Sequence, residues 1–320
     1  MPLITAPVST PPQPPDTTPP PAQIPEVGYA AITYIDPTGT RWPMTDTTGQ
    51  WFALADGVSG LGAAPYTLTS DPHPRGGARL RHVQAQPRTI VWPVHVKGSD
   101  HMTFTENWRA LGRAFTRTLR EGPGTLEVAR PDGTVRQIRV YYSEGWDGLG
   151  RHATGITWDN AVSTLWSEDP YWTDAVPVSV HREAGAMVDY LVPYPSVSSS
   201  QVLGATTVTN PGDVDVWPQW LVTGPASLIT FTREDTGESF ALDMDETGHG
   251  DLLAGETVTI STDPPSVRSG TGDNWVGALN WPAATLWSLP PGETAVTFQL
   301  AGSGPGSAVD LTFYPRYEMA

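Results

Sequence analysis

The chain has 320 residues, no cysteine, 16% charged residues and a formal net charge of −16. Without thiols it can form no disulfide, thiolate nucleophile, zinc ribbon or iron–sulfur cluster, and no run approaches the roughly 20 apolar residues of a membrane-spanning helix. Glycine (32) and proline (33) punctuate it heavily, which suits many short strands better than long helices, and the length points to two domains.

The charge is unevenly spread. Residues 1–182 carry 15 basic and 17 acidic side chains, whereas residues 183–320 carry 3 and 17. The second part is therefore predicted to repel nucleic acid and anionic membranes. Lys97 is the sole lysine and lies in VHVKGSD, which excludes a phosphate-binding P-loop. The start, MPLITAPVSTPPQPP, has neither a basic n-region nor an apolar h-region, so no secretory signal is expected.

In chain order, residues 1–27 read as a Pro-rich extended arm, with ten prolines in the first 25 positions. Strands are predicted at GYAAITYID (28–36) and QWFAL (50–54). A glycine-rich stretch from Gly57 follows. It lacks a full G-x-S-x-G pattern because Leu61 replaces the last glycine, so a hydrolase elbow is unsupported. ARLRHVQA (78–85) and RTIVWPVHV (88–96) read as further strands. One helix is expected at about 103–120: TFTE forms a capping box with Thr103 as N-cap and Glu106 reaching back, and Trp108, Leu111, Phe115 and Leu119 recur on one face. Beside that face run Arg109, Arg113, Arg117 and Arg120, either a solvated row with local ion pairs or an intersubunit or lumen-facing stripe. A hairpin is predicted around PDGT (131–134), and a linker at 183–205.

The second half reads as strand after strand. In NPGDVDVWPQW, Val214, Val216, Pro218 and Trp220 alternate with Asp213, Asp215 and Gln219, the pattern of a half-buried strand entered through a turn. Its two aspartates then belong to the wet face and form no metal or catalytic pair. The fold class expected is mainly β: an antiparallel sandwich or barrel-like first domain (28–182) with one helix, and a jelly-roll type sandwich at 206–320.

Candidate chemistry is sparse. DMDETGHGD (243–251) starts like a calcium loop, with Asp243, Asp245 and Gly248 well placed, but Ala254 stands where a bidentate glutamate is needed; a solvated acidic loop is the expectation. The seven histidines show no metal-ligand spacing, and no cofactor motif is present. Trp275, Trp281 and Trp287 form either core and interface anchors or a sugar-stacking platform.

Several motifs in order carry a resemblance. RTIVWPVHVKG, WRALGRAF, GPGTLEVARPDGTVRQIRVYYSEG, DPYW, TNPGDVDVWPQWLVTGP, DTGESFAL, AGETVTIST, LPPGETAVTF and FYPRY together resemble the distal tail proteins of siphovirus-type bacteriophages, often grouped with the minor tail proteins of actinobacteriophages. The resemblance implies a structural, non-enzymatic protein at the distal end of the virion tail. Its first domain would form a hexameric ring joining the tail tube protein to tail-tip, baseplate hub and other minor tail proteins, with passage for DNA but no tight nucleic-acid binding. Its second domain would be a galectin-like sandwich. The Pro-rich arm departs from the simplest family pattern. Two rival readings remain open: a host cell-wall glycan adhesin acting through the second sandwich, and a tail-associated cell-wall hydrolase.

Overall fold

In the computed structural model, residues 30–147, 156–184 and 203–320 are described. The expected arm at 1–27 and most of the expected linker lie outside the described residues. The first half contains β1 (Ala31–Ile35), β2 (Arg41–Pro43), β3 (Trp51–Ala53), β4 (Tyr66–Pro72), β5 (Ala78–Ala85), β6 (Arg88–Lys97), α1 (His101–Thr116), α2 (Thr118–Glu121), β7 (Gly124–Ala129), β8 (Val135–Gly145), β9 (Trp158–Ser167) and β10 (Trp172–Asp174). Its main sheet is antiparallel and runs β2-β1-β7-β8-β9-β6-β3. Alternation builds it: Ile90, Trp92, Val94 and Val96 on β6 are almost wholly buried. The PDGT turn closes the β7–β8 hairpin because Asp132 Oδ1 accepts both the backbone N–H and the hydroxyl of Thr134, at 2.9 and 2.7 Å.

The helix lies where periodicity puts it, but its start and its face differ from expectation. The N-cap is Asp100, not Thr103: Asp100 Oδ1 accepts the N–H groups of Met102 and Thr103 at 2.9 and 3.0 Å, and Oδ2 takes the Thr103 hydroxyl at 2.7 Å. A carboxylate at a helix start both satisfies orphan donors and complements the dipole, so it outcompetes the threonine three residues on. Phe104, Trp108, Leu111 and Phe115 form the buried stripe against the sheet. Leu119 is 59% exposed, because α1 ends at Thr116 and α2 restarts beyond the stripe. Gly112 is needed on this helix: a Cβ there would stand 2.4 Å from the Trp146 indole nitrogen, whose ring packs on Trp108 at 4.8 Å.

The second half contains β11 (Val178–Glu183), β12 (Ala205–Asn210), β13 (Gln219–Thr223), β14 (Leu228–Arg233), β15 (Ser239–Asp243), β16 (Thr257–Thr262), β17 (Pro265–Ser269), β18 (Gly292–Ala301), β19 (Ala308–Phe313) and β20 (Arg316–Tyr317). Two antiparallel sheets, β11-β19-β13-β16-β17 and β12-β18-β14-β15, enclose one core. Trp220 sits at its centre, 5.5 Å from Phe231 and 5.1 Å from both Phe240 and Trp287. Strand β11 precedes residues 185–202 in the chain, yet it pairs along its whole length with β19 in this sandwich. The alternation read in NPGDVDVWPQW holds: Val216, Pro218 and Trp220 are buried and Asp213 and Asp215 are exposed. The regular strand starts only at Gln219, after Pro218, which has no N–H to give a ladder. The turn before it is held by Asn210, whose Oδ1 accepts the Gly212 N–H at 2.9 Å. The two aspartates are braces: Asp213 accepts the Glu318 N–H and Asp215 accepts the Ser288 hydroxyl.

After β19 the chain crosses back to the first half. Strand β20 pairs with β10, which in turn pairs with β8. Around this crossing the Arg88 side chain, 1% exposed, donates to the carbonyls of Pro170 (2.7 Å), Gly60 (2.6 Å), Gly62 (2.5 Å) and Glu318 (2.8 Å). This is the role of the glycine-rich stretch. Gly60 has φ +88, and a Cβ on it would fall 2.1 Å from the Thr89 carbonyl oxygen, so only glycine lets the loop fold over Arg88. Arg316 makes a two-pronged bond to Asp169, 2.7 Å to each oxygen. Arg136 lies 3.7 Å over the Tyr317 ring and donates to the Met319 carbonyl. The Tyr317 phenol is pushed up to about 12 by burial and by its hydrogen bond to Asp174.

These two arginines differ in weight. Arg88→Met leaves four carbonyls without their donor, each costing about 1–3 kcal/mol when buried, so a loss of about 3 kcal/mol or more in urea denaturation is expected. Arg316→Ala removes an ion pair whose carboxylate is half exposed and is expected to cost about 1 kcal/mol or less. Equal losses would contradict this assignment. The cap gives a pH test. Hydrogen bonds from Thr103 and Ser99 hold the Asp100 carboxyl at about 2, below its usual value. Because the folded pKa is depressed, the stabilisation is present above about pH 4 and disappears as pH falls through about 2. The difference in thermal midpoint between wild type and Asp100→Asn is expected to shrink across that window; a constant difference would show that the cap does not titrate.

Candidate functional site

The least covered part of the molecule is the β4–β5 hairpin. Among the described residues these strands pair only with each other, and nearly every residue in both is exposed. Sequence reading finds β5 but leaves β4 inside the glycine-rich stretch. Leu68 and Val83 stand opposite each other and share one face, 65% and 45% exposed, and Leu80 follows at 55% after a bulge. Arg81 pairs with Asp71 across the two strands. The root is anchored to the crossing segment: the Tyr66 hydroxyl donates to Glu318 Oε1 at 2.5 Å and accepts from Tyr171 at 3.0 Å. Desolvation of the Tyr66 hydroxyl, reinforced by the Glu318 bond, pushes its pKa well above that of an ordinary phenol and keeps it a donor.

The outward face of the main sheet carries a second apolar surface. Trp158, Val162 and Trp166 alternate along β9 at 57%, 47% and 37% exposure. His95 stacks between Phe52 (4.7 Å) and Trp158 (5.5 Å), and Tyr141 lies 6.2 Å from Trp166. Asn160 Oδ1 accepts from His95 Nδ1 at 2.7 Å and fixes the ring. Scattered exposed hydrophobics are ordinary; here Asn160 and Thr164 alternate with Trp158, Val162 and Trp166 along the same face.

The arginine row divides. Arg117 reaches Asp36 at 3.3 Å and Glu121 at 3.9 Å. Burial opposes ionisation of Asp36, but hydrogen bonds from Thr38, Thr40 and Trp42 outweigh it and hold its carboxyl below the usual range. Arg117 is therefore a tie between helix and sheet. Arg109, Arg113 and Arg120 are exposed and have no ion-pair partner among the described residues.

The three tryptophans are not brought to one open face. Trp275 and Trp287 are buried in the second core, at 7% and 2% exposure. Only Trp281 is open, at 52%, with its N–H donated to the Val276 carbonyl at 3.0 Å. In the acidic loop, Asp243 Oδ1 accepts the Asp245 N–H, and His249 lies 5.4 Å from the Trp275 ring and 3.6 Å from Glu256. Among the described residues, no group of three or more His, Cys, Asp or Glu side chains is placed to hold a metal ion, and no helix is long and apolar enough to cross a membrane.

No family model matches the chain, and no curated protein matches it in sequence. Solved structures do. The Dit protein of phage SPP1, described as a paradigm of the hub adsorption apparatus in phages infecting Gram-positive bacteria, superposes with a TM-score of 0.62 at 12% identity, over 90% of this chain and 99% of that one. Two chains of the phage P2 baseplate in its activated conformation, one with calcium and one with strontium, give TM-scores of 0.54 and 0.53 at 10% identity, over 91% and 92% of this chain and 100% of theirs. The chain thus has, over about nine-tenths of its length, the fold of the Dit hub and baseplate proteins of bacteriophages.

Proposed function

We propose that this protein is a structural component of a bacteriophage tail tip, a distal tail protein with no chemistry of its own. Its first domain assembles into a closed ring of six copies. The ring joins the tail tube to the baseplate or tail-fibre proteins and leaves a passage for DNA. The second, galectin-like domain projects from the ring. The likeness to phage hub and baseplate chains supports the setting, and one feature of this molecule carries the assembly: the uncovered β4–β5 hairpin.

The physical reason is simple. A lone two-stranded hairpin is marginal in water, and three strands or a packed face are needed for stability. Here one face presents Leu68, Leu80 and Val83 to solvent, and both outer strand edges are unpaired among the described residues, an arrangement that invites another chain. A neighbouring copy supplies the cover, and closure into a ring leaves no hairpin bare. The aromatic stripe on β9 is a second surface of the same kind. Arg109, Arg113 and Arg120 provide cations for subunit contacts or for the lumen. The acidic second domain, with 17 acidic and 3 basic residues from 183 onward, stays clear of DNA by like-charge repulsion. A channel that passes a genome is better without a tight phosphate grip.

The test is solution mass by light scattering with negative-stain imaging, alone and with the tail tube protein. Rings near six times 34.4 kDa are expected. Leu68→Asp/Val83→Asp is expected to shift the population to monomer by at least tenfold in dissociation constant. Its melting midpoint should be nearly unchanged, since exposed substitutions change stability by only about 0.5 kcal/mol. A monomer under every condition overturns the ring; a ring that survives the double substitution removes the hairpin from its interface.

A further inference from the structure

A cleft of about 270 Å3 opens at the edge of the second sandwich, where β16 begins and β17 ends. His249, Leu252, Glu256, Thr257 and Trp275 line it, with Ser269 and Thr271 at its rim. It is separate from the hairpin, the aromatic stripe and Trp281. Its lining shares no residue with the features used for assembly in the reading above, so the inference stands or falls independently of ring formation.

The lining has two chemical characters. One wall is apolar: the Trp275 indole, the His249 ring 5.4 Å from it, and Leu252. The other is polar and underused by the chain itself. Glu256 Oε2 accepts the Leu253 N–H at 2.8 Å, but Oε1 is left with only His249 Nε2, at 3.6 Å and beyond hydrogen-bond length. The Trp275 N–H and the Thr257 hydroxyl make no hydrogen bond to any described residue. Four groups in one small cleft therefore retain donor or acceptor capacity: an indole N–H, a hydroxyl, an imidazole nitrogen and a carboxylate oxygen. The 3.6 Å gap between His249 and Glu256 is wide enough for a ligand hydroxyl to bond to both.

We infer that this cleft binds one neutral sugar ring. A pyranose offers an apolar C–H face for the exposed His249 ring and the indole margin next to it, and a rim of hydroxyls for the polar wall. The volume fits one ring, below the roughly 300–1,000 Å3 of pockets that enclose larger ligands. The surrounding charge excludes the anionic alternatives: a phosphate or uronate entering this acidic domain meets like charge and no arginine or lysine in the lining. The binding residues assigned are His249, Glu256 and Thr257, with the small exposed part of the largely buried Trp275 beside them; no three-tryptophan platform is involved.

Saturation-transfer NMR on the full chain, with glucose, galactose, mannose and N-acetylglucosamine at millimolar concentration and glucuronate as the anionic control, tests this. Transfer to at least one neutral sugar is expected, none to glucuronate, and at least a tenfold weaker affinity in Thr257→Val or His249→Ala. Both variants alter exposed or half-exposed side chains and should keep the wild-type melting curve. Trp281→Ala is expected to bind as wild type. No transfer from any neutral sugar, or transfer unchanged in both Thr257→Val and His249→Ala, overturns the site. Loss of binding in Trp281→Ala alone would place the sugar elsewhere on the sandwich and overturn it equally.

Discussion

The arrangement of the whole chain depends on one buried cation. Arg88 is at the first position of β6 and, among the described residues, forms no ion pair; four carbonyl oxygens from three separate stretches of chain surround its guanidinium instead. Burial lowers its pKa, partly offset by the charges of Glu318 and Asp169, but an arginine stays charged at any ordinary pH. A charge with nowhere to go must be solvated by the protein, and that requirement fixes the glycine-rich loop, the DPYW turn and the segment after β19 relative to one another. Glutamate in place of the carbonyls would satisfy the charge with one residue and leave the other segments untied. The fork of five donors is what makes a single side chain a three-way joint.

From this joint the tie extends outward in two directions. Glu318 gives its backbone carbonyl to Arg88 and its carboxylate to Tyr66 and to the Ala64 N–H. The root of the exposed hairpin is thus held by a residue that lies beyond the last long strand of the second sandwich. On the other side, Arg316 bonds to Asp169, covers Tyr171 at 4.6 Å and donates to the Asp215 carbonyl. Whatever covers the hairpin therefore presses on a network continuous with the turn that opens β13. The outer interactions are exposed and individually weak; the inner one is not. In the proposed ring, such grading would let the hairpin adjust to a neighbouring copy while the connection between the two halves persists.

Much of this was readable from sequence, and the parts that were not share a cause. The PDGT turn located β7 and β8, the first of which is buried almost throughout, whereas alternation located β13, β16, β18 and β19 because each has one buried and one wetter face. The stripe Trp108, Leu111, Phe115 located the helix for the same reason. Strand β4 was illegible because neither of its faces is buried within the chain, so YTLTSDP shows no core-facing pattern to find. Leu119 continues the helical spacing and lies in α2, but it is 59% exposed, since the interruption at Arg117 between the two helices leaves no mark in hydrophobic period. The N-cap was missed by one turn because two acceptable caps, Asp100 and Thr103, compete and only packing chooses. The tryptophans 275, 281 and 287 lie close in sequence, yet irregular chain between β17 and β18 sends two of them into the core and one to solvent. Arg88 itself carried no signal: an arginine entering a strand is ordinary, and its four carbonyl partners are backbone atoms with no sequence signature.

The division of polarity between the halves follows from the same geometry. The first half exposes Leu68, Val83, Trp158, Val162 and Trp166 and is close to neutral, with 15 basic and 17 acidic residues through position 182. The second half has a complete core of its own and a strongly acidic surface. The second half also exposes Trp217, Leu221, Leu253 and Trp281, so the halves differ in charge rather than in exposed apolar surface, and like charge discourages contact between second domains. In the proposed ring that asymmetry directs the neutral domains inward and the acidic ones outward, where a monosaccharide-sized cleft with unused hydrogen-bonding groups would meet the surroundings first.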